Sequence, residues 1–164
     1  MKQGTGLIVL FLFFAAAAQA AEENDNSSHL PLPRFATLRS GDVNMRTGPG
    51  TRYPIEWVYG RRGLPVEVTA EYDICRRVRD PEGTEGWVNK TELTGKRGVV
   101  ITGSSRDLHD GRDDQSAVVA HLETGAIGQL VSCTQDWCKV KFDGVKGYLR
   151  KAQFWGAYPN ELFD

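Results

Sequence analysis

The sequence predicts an all-β protein built from two copies of one small unit. Three observations carry this. Apolar residues come in short alternating runs separated by Gly, Pro, Asn and Asp, the pattern of strands joined by turns. No segment after the N-terminal apolar run sustains a 3.6-residue period. The second half also repeats the first. Gly63 corresponds to Gly125 and Cys75-Arg76-Arg77-Val78 to Trp137-Cys138-Lys139-Val140, both at an offset of 62, while Gly86-Trp87-Val88 matches Gly147-Tyr148-Leu149 one residue closer. Earlier in each copy, Asn44-Met45-Arg46 aligns with Asp107-Leu108-His109.

The first twenty residues read as a cleaved signal peptide. Lys2 supplies the positive charge, Leu7 to Ala18 is an unbroken apolar run, and Ala18-Gln19-Ala20 is a peptidase site. The run is shorter than the roughly 20 residues a membrane span needs, so no span is expected after cleavage. Export places the protein in the periplasm or outside the cell. Residues 21–34, polar and then punctuated by prolines, read as a flexible leader. The formal net charge of -1 is too near neutral to favour nucleic acid or a membrane surface as a partner.

In the first unit, residues 35–98, strands are expected at Ala36–Leu38, Val43–Arg46, Glu56–Tyr59, Pro65–Ala70, Ile74–Arg79 and Gly86–Asn89, with one short helical turn at Lys90–Leu93. Between the second and third of these lies Thr47-Gly48-Pro49-Gly50-Thr51, where two glycines around a proline favour one loop shape. The second unit, residues 99–164, has Asp110-Gly111-Arg112-Asp113-Asp114 there, so the shaped loop is expected once. After its last strand come Phe154-Trp155-Gly156-Ala157-Tyr158, too apolar to float in water and expected to close the core or fill the seam between units. Units of about sixty residues bury only roughly 60% of their unfolded surface, so the two should pack together.

Cys133 and Cys138 flank four residues, a spacing that places them opposite each other across a hairpin and suits a disulfide. One cysteine pair with no nearby His is a poor zinc site. Cys75 is left as the odd thiol and is expected to be buried. No Gly-x-Ser-x-Gly, His-Glu-x-x-His, phosphate-cradling loop or dinucleotide fingerprint is present, and no cofactor or metal is expected. Arg61-Arg62 and Arg76-Arg77-Arg79 are solvated strand faces or a basic face for carboxylates.

Asn44-Met45-Arg46-Thr47-Gly48-Pro49-Gly50-Thr51-Arg52-Tyr53, followed by the Gly63 turn and the Gly86-Trp87-Val88 strand, resembles the bacterial SH3-like (SH3b) domains. Two copies ending in Phe154-Trp155-Gly156-x-Tyr158-Pro159-x-Glu161 look like small exported proteins of Gram-negative bacteria. The resemblance implies two tandem SH3-like β-barrels and a non-enzymatic binding role at the cell envelope. SH3b units are often attached to cell-wall hydrolases, where they are thought to hold peptidoglycan. It implies a ligand site on the first unit made by Asn44, Arg46, Arg52, Tyr53, Trp57, Arg62, Tyr72 and Trp87, with peptidoglycan or its peptide stem as partner. An adaptor for another envelope protein is the alternative, and a cell-wall hydrolase a more distant one. Cys75 stands where the family commonly has Trp, a loss expected to weaken the first unit's site.

Overall fold

The structure is a computed structural model that describes residues 28–164. The expected signal peptide and residues 21–27 of the leader lie outside the described residues. Two antiparallel seven-stranded sheets follow one another along the chain. The first contains β1 (Arg34–Leu38), β2 (Val43–Arg46), β3 (Ile55–Tyr59), β4 (Pro65–Tyr72), β5 (Cys75–Arg79), β6 (Glu85–Asn89) and β7 (Leu93–Thr94), in the spatial order β3-β2-β6-β5-β4-β1-β7. The second contains β8 (Gly98–Ile101), β9 (Arg106–His109), β10 (Val118–Leu122), β11 (Ile127–Cys133), β12 (Trp137–Phe142), β13 (Val145–Arg150) and β14 (Phe154–Trp155). Its order, β10-β9-β13-β12-β11-β8-β14, is the first order with every strand advanced by seven. Single 3₁₀ turns occupy matching places at Lys90–Glu92 and Lys151–Gln153.

The repeat holds down to residue register. Arg46 pairs with Trp87 across β2 and β6, and His109 pairs with Tyr148 across β9 and β13. Gly63 and Gly125, aligned by sequence, both adopt a positive φ that a side chain would strain. Each unit has its own core, and all seven strands of its sheet contribute to it. Val43, Met45, Val66, Val68, Val78 and Val88 are fully or almost fully buried in the first, and Val99, Ile101, Leu108, Val140 and Leu149 in the second. A single sheet that buries one face against itself must curl into a barrel-like shell.

The seam between units is closed as the sequence implies. Phe35 of β1 meets Trp155 edge-on at 4.8 Å and Tyr158 at 4.7 Å between ring centroids. The Tyr158 hydroxyl donates to Glu67 of β4 at 2.9 Å, and the Gly98 amide donates to the Thr37 hydroxyl at 2.8 Å. Arg97 forms a two-pronged pair with Glu161 at 2.5 and 2.9 Å. Aromatic pairs of this kind contribute about 0.5–1.5 kcal/mol each beyond their burial.

Three sequence expectations are corrected. The end of the leader is not loose. Ser28 donates to Glu71 from its amide at 2.7 Å and its hydroxyl at 2.6 Å, Leu32 packs on the first core, and Arg34 already belongs to β1. The arginines of β5 do not form a free basic face, because each carries a carboxylate: Glu71 on Arg76, Glu85 on Arg77 and Glu67 on Arg79. The loop after β2 is made twice, as described below.

Candidate functional site

The loop that follows β2 is closed by two backbone hydrogen bonds, Thr47 N–H to Pro54 at 3.1 Å and Tyr53 N–H to Gly50 at 3.2 Å. Arg46 braces it from beneath, donating to the Tyr53 carbonyl at 2.7 Å. Gly48 is required by close approach, since a Cβ there would lie 2.4 Å from the Tyr53 ring. In the second unit Asp110 N–H bonds to Ala117 at 2.9 Å, Ser116 N–H to Asp113 at 3.0 Å, and His109 takes the brace position on the Ser116 carbonyl at 3.0 Å. The backbone loop is therefore duplicated. Proline and glycine shape the first copy, whereas side chains shape the second: Asp113 accepts from the Gln115 amide, and the Ser116 hydroxyl donates to the Asp113 carbonyl.

What differs is the space beneath the loop. In the first unit Asp42, Asn44, Arg46, Pro49, Gly50, Thr51, Tyr72, Asp73, Ile74, Cys75, Trp87, Val88, Asn89 and Glu92 line a cleft of about 370 Å³. A smaller cleft of about 260 Å³ shares Pro49, Tyr72 and Trp87 with it and is otherwise lined by Thr47, Gly48, Arg52 and Tyr53. The two adjoin along one aromatic wall. Trp87 is a buried part of that wall, and Tyr72 and Ile74 stand well exposed at its rim.

Cys75, Thr51 and Asn89 have Trp137, Asp114 and Arg150 as their repeat counterparts. There the Trp137 indole is buried, the Arg150 guanidinium lies 4.5 Å above its ring centroid, and Asp114 holds Arg150 at 2.5 Å. This pairing lowers the Asp114 pKa and raises that of Arg150. Asp114 and Arg150 thus bridge the second unit's loop to its sheet over Trp137, and the cleft of about 320 Å³ beside Arg150 is lined by Gln135, Asp136, Lys151, Ala152, Ala157 and Pro159 and by no residue of that loop. In the first unit a small thiol, a hydroxyl and an amide leave the space beneath the loop open.

Six of the eight residues singled out by sequence come together here. Asn44, Arg46, Tyr72 and Trp87 line the larger cleft; Arg52 and Tyr53, with Tyr72 and Trp87 again, line the smaller. Trp57 does not join them, being exposed on the edge strand β3 and lining neither cleft. Arg62 is likewise elsewhere, on a groove at the seam. Sequence reasoning missed Asp42, Ile74, Asn89 and Glu92, which have no motif; only their disagreement with the second copy marks them.

The cleft carries three carboxylates, on Asp42, Asp73 and Glu92, and one cation, Arg46, so it favours a positively charged group. Cys75, a free thiol, forms part of its lining. Burial is the main cause that pushes its pKa up, and Asp73 adds to this; the opposing pulls of Arg76, Arg46 and the Gly50 amide are weaker. A thiol so placed stays protonated at neutral pH and is a poor nucleophile. His109 and His121 both belong to the second sheet, where His121 is engaged by Asp107 at 2.6 Å. Among the described residues no group of three or more His, Cys, Asp or Glu converges as metal ligands.

The model of the bacterial SH3 domain family matches residues 39–95 and again 108–156. These stretches cover more than half of the chain and fall on the two sheets. The chain belongs to the bacterial SH3 domain family. Two solved structures of Trichomonas vaginalis proteins, NlpC1 and NlpC2, are similar over 82% and 77% of this chain at 10% identity, with TM-scores of 0.35 and 0.36. The chain spans 49% of the length of each. No curated protein sequence matches it. Among the described residues no helix is long and apolar enough to cross a membrane.

Proposed function

We propose that this SH3-like protein is a non-enzymatic binding module of the bacterial envelope whose first unit, residues 35–98, holds a short peptide, the stem of peptidoglycan being the first candidate. The carrying observation is the cleft beneath the first unit's loop, open where its duplicate is closed by Trp137 and Arg150. Its size suits a few residues of extended chain. The Tyr72 and Ile74 rim and the Trp87 wall offer apolar contact, Asn44 and Asn89 offer hydrogen bonds, and Asp42 and Glu92 attract an amine. Arg52, above the smaller cleft and 5.0 Å from the Tyr53 ring centroid, is placed to meet a carboxylate. The raised pKa of Cys75 and the distribution of the histidines support binding rather than hydrolysis. A periplasmic or secreted location is supported by the N-terminal sequence and by the Cys133–Cys138 disulfide, which suits an oxidising compartment.

A second reading, an adaptor for another envelope protein, is favoured by one observation. Ile55, Trp57 and Val58 all stand exposed on β3, an edge strand able to accept a partner strand. Purified sacculi separate the two. Retention by sacculi that is lost in Tyr72→Ala with Asn89→Ala supports the wall ligand. No retention, together with a single periplasmic protein captured through β3 and lost in Trp57→Ala, replaces it with the adaptor. Muropeptide turnover that is lost in Cys75→Ser would overturn the non-enzymatic reading.

A further inference from the structure

A third cleft, of different chemistry, lies where the two units meet. Its volume is about 500 Å³, and its ionisable lining side chains are Arg39, Arg62, Lys96 and Arg97, with no carboxylate among the lining residues. The whole chain has 20 basic and 21 acidic residues, so this is a local segregation of charge rather than a reflection of composition. Arg97 is balanced by Glu161 behind it. Arg39 gives one hydrogen bond to the Leu93 carbonyl at 3.0 Å, a neutral partner. Among the described residues, Arg62 and Lys96 have no side-chain partner within bonding distance.

The backbone explains why cations gather there. Lys96 and Arg97 lie in the connector between β7 and β8, Arg39 follows β1, and Arg62 precedes the Gly63 turn. These segments are drawn together because Gly98 packs directly on the first unit: a Cβ at Gly98 would sit 2.6 Å from the Gly63 carbonyl oxygen and 2.9 Å from the Thr37 hydroxyl. Gly63, Gly98 and Gly128 leave the walls bare of side chains. Three cations without carboxylate partners repel one another, and a multiply charged anion relieves that repulsion while accepting their hydrogen bonds.

We propose that this seam groove binds a phosphate-bearing anion, clamped between Arg39 and Arg62 on the first unit and Lys96 on the connector, with Arg97 held back by Glu161. The site is separate from the cleft under the first unit's loop and does not depend on what that cleft holds. The guanidinium forks of Arg39 and Arg62 suit phosphate oxygens, and a volume of about 500 Å³ has room for two linked phosphates. Such a ligand stabilises the packed arrangement of the two units by binding the folded chain alone.

Calorimetric titration of the full chain with pyrophosphate at low ionic strength tests this, beside flotation with phosphatidylglycerol vesicles. The expected result is saturable one-site binding that weakens as salt rises and falls at least about fivefold in Arg62→Ala and in Lys96→Ala. Lys146→Ala, an exposed lysine of β13, should leave it unchanged. Pyrophosphate binding assigns a free phosphate ligand. Vesicle binding without pyrophosphate binding, lost in the same two variants, assigns a lipid headgroup. Binding to neither, or binding insensitive to both substitutions in variants that melt like the parent, overturns the proposal.

Discussion

The tips of the two longest hairpins occupy the same place in the repeat and are secured by unlike chemistry. In the second unit Cys133 of β11 faces Cys138 of β12, and they are bonded, with Cα atoms 4.0 Å apart. In the first unit the facing pair is Glu71 of β4 and Arg76 of β5, joined by an ion pair at 3.2 Å with both side chains buried. A disulfide closes its hairpin without outside help. A buried ion pair must satisfy its remaining oxygens elsewhere, and Glu71 does so by drawing in Ser28 and, at 2.5 Å, Arg34. The leader's end is ordered because it is part of the solvation of Glu71. The difference also separates the units by role. The second is stapled and its loop space is filled, whereas the first is held by charge and its loop space is open.

Breaking the charged fastening should have the largest effect. Glu71→Ala leaves Arg76 buried with its carboxylate removed, and a loss of about 3–5 kcal/mol of unfolding free energy is expected in urea titration. Acid should act through the same group. Burial on its own raises the Glu71 pKa, but hydrogen bonds from the Ser28 hydroxyl and amide and from Arg34, with the Arg76 charge, outweigh it and hold the value at about 2. Because the folded value lies below the ordinary 4.5, the stabilisation is whole above pH 4.5 and is lost as pH falls toward 2. Glu71→Gln should flatten that part of the stability curve; an unchanged slope would remove Glu71 from the account. Glu71→Cys with Arg76→Cys should form a second disulfide, since the register matches that of Cys133 and Cys138, detectable as a single remaining free thiol, that of Cys75.

Removing the staple comes next. Cys133→Ser with Cys138→Ser should cost about 2 kcal/mol in the chain-entropy picture of so short a loop, measured against the oxidised parent. Amide exchange should rise chiefly in β11 and β12 while the first sheet stays protected. Equal loosening of both sheets would mean that the seam makes one cooperative unit of the two.

Binding gives the third test, and it inverts an expectation. The missing aromatic at Cys75 suggests a weakened site on the first unit, but its counterpart Trp137 occupies the place where the cleft lies. Cys75→Trp should therefore fill the cleft and lower retention by sacculi at least about tenfold, roughly 1.4 kcal/mol. The melting temperature should stay close to that of the parent. Undiminished retention would place the ligand elsewhere.

The fold was legible because each strand carries its own signal. Alternation and turn residues mark β2 at Val43–Arg46 to the residue and five further strands of the first unit to within two positions, whereas the two-residue β7 is too short to alternate and its Leu93 reads as the end of the helical turn. The repeat was legible because Gly63 and Gly125 solve the same backbone problem. The cleft was not, because an empty space has no motif: it depends on three positions, Thr51, Cys75 and Asn89, on separate segments whose small side chains fail to fill it. The loop misled for a related reason. Gly-Pro-Gly looked unique, but Asp113 and Ser116 reach the same backbone hydrogen bonds through side chains, which a comparison of residue types does not reveal. Trp57 misled because aromatic character alone does not say whether a strand position faces a groove or an open edge.

The smallest effect is expected where the second unit closes its own space. Asp114 and Arg150 are exposed, so water and salt screen their attraction, and Asp114→Thr with Arg150→Asn should leave the unfolding midpoint nearly unmoved. Its consequence is local: with the guanidinium gone from above the indole, Trp137 should become more accessible to acrylamide quenching. The first unit's cleft should be untouched, so sacculus retention should persist. Adding Trp137→Cys to that pair reproduces the first unit's three small residues on the second unit's loop. A cavity should then appear there; a crystal structure of the triple variant with that space still filled would show that the Gly-Pro-Gly loop, and not the side chains beneath it, holds the first cleft open.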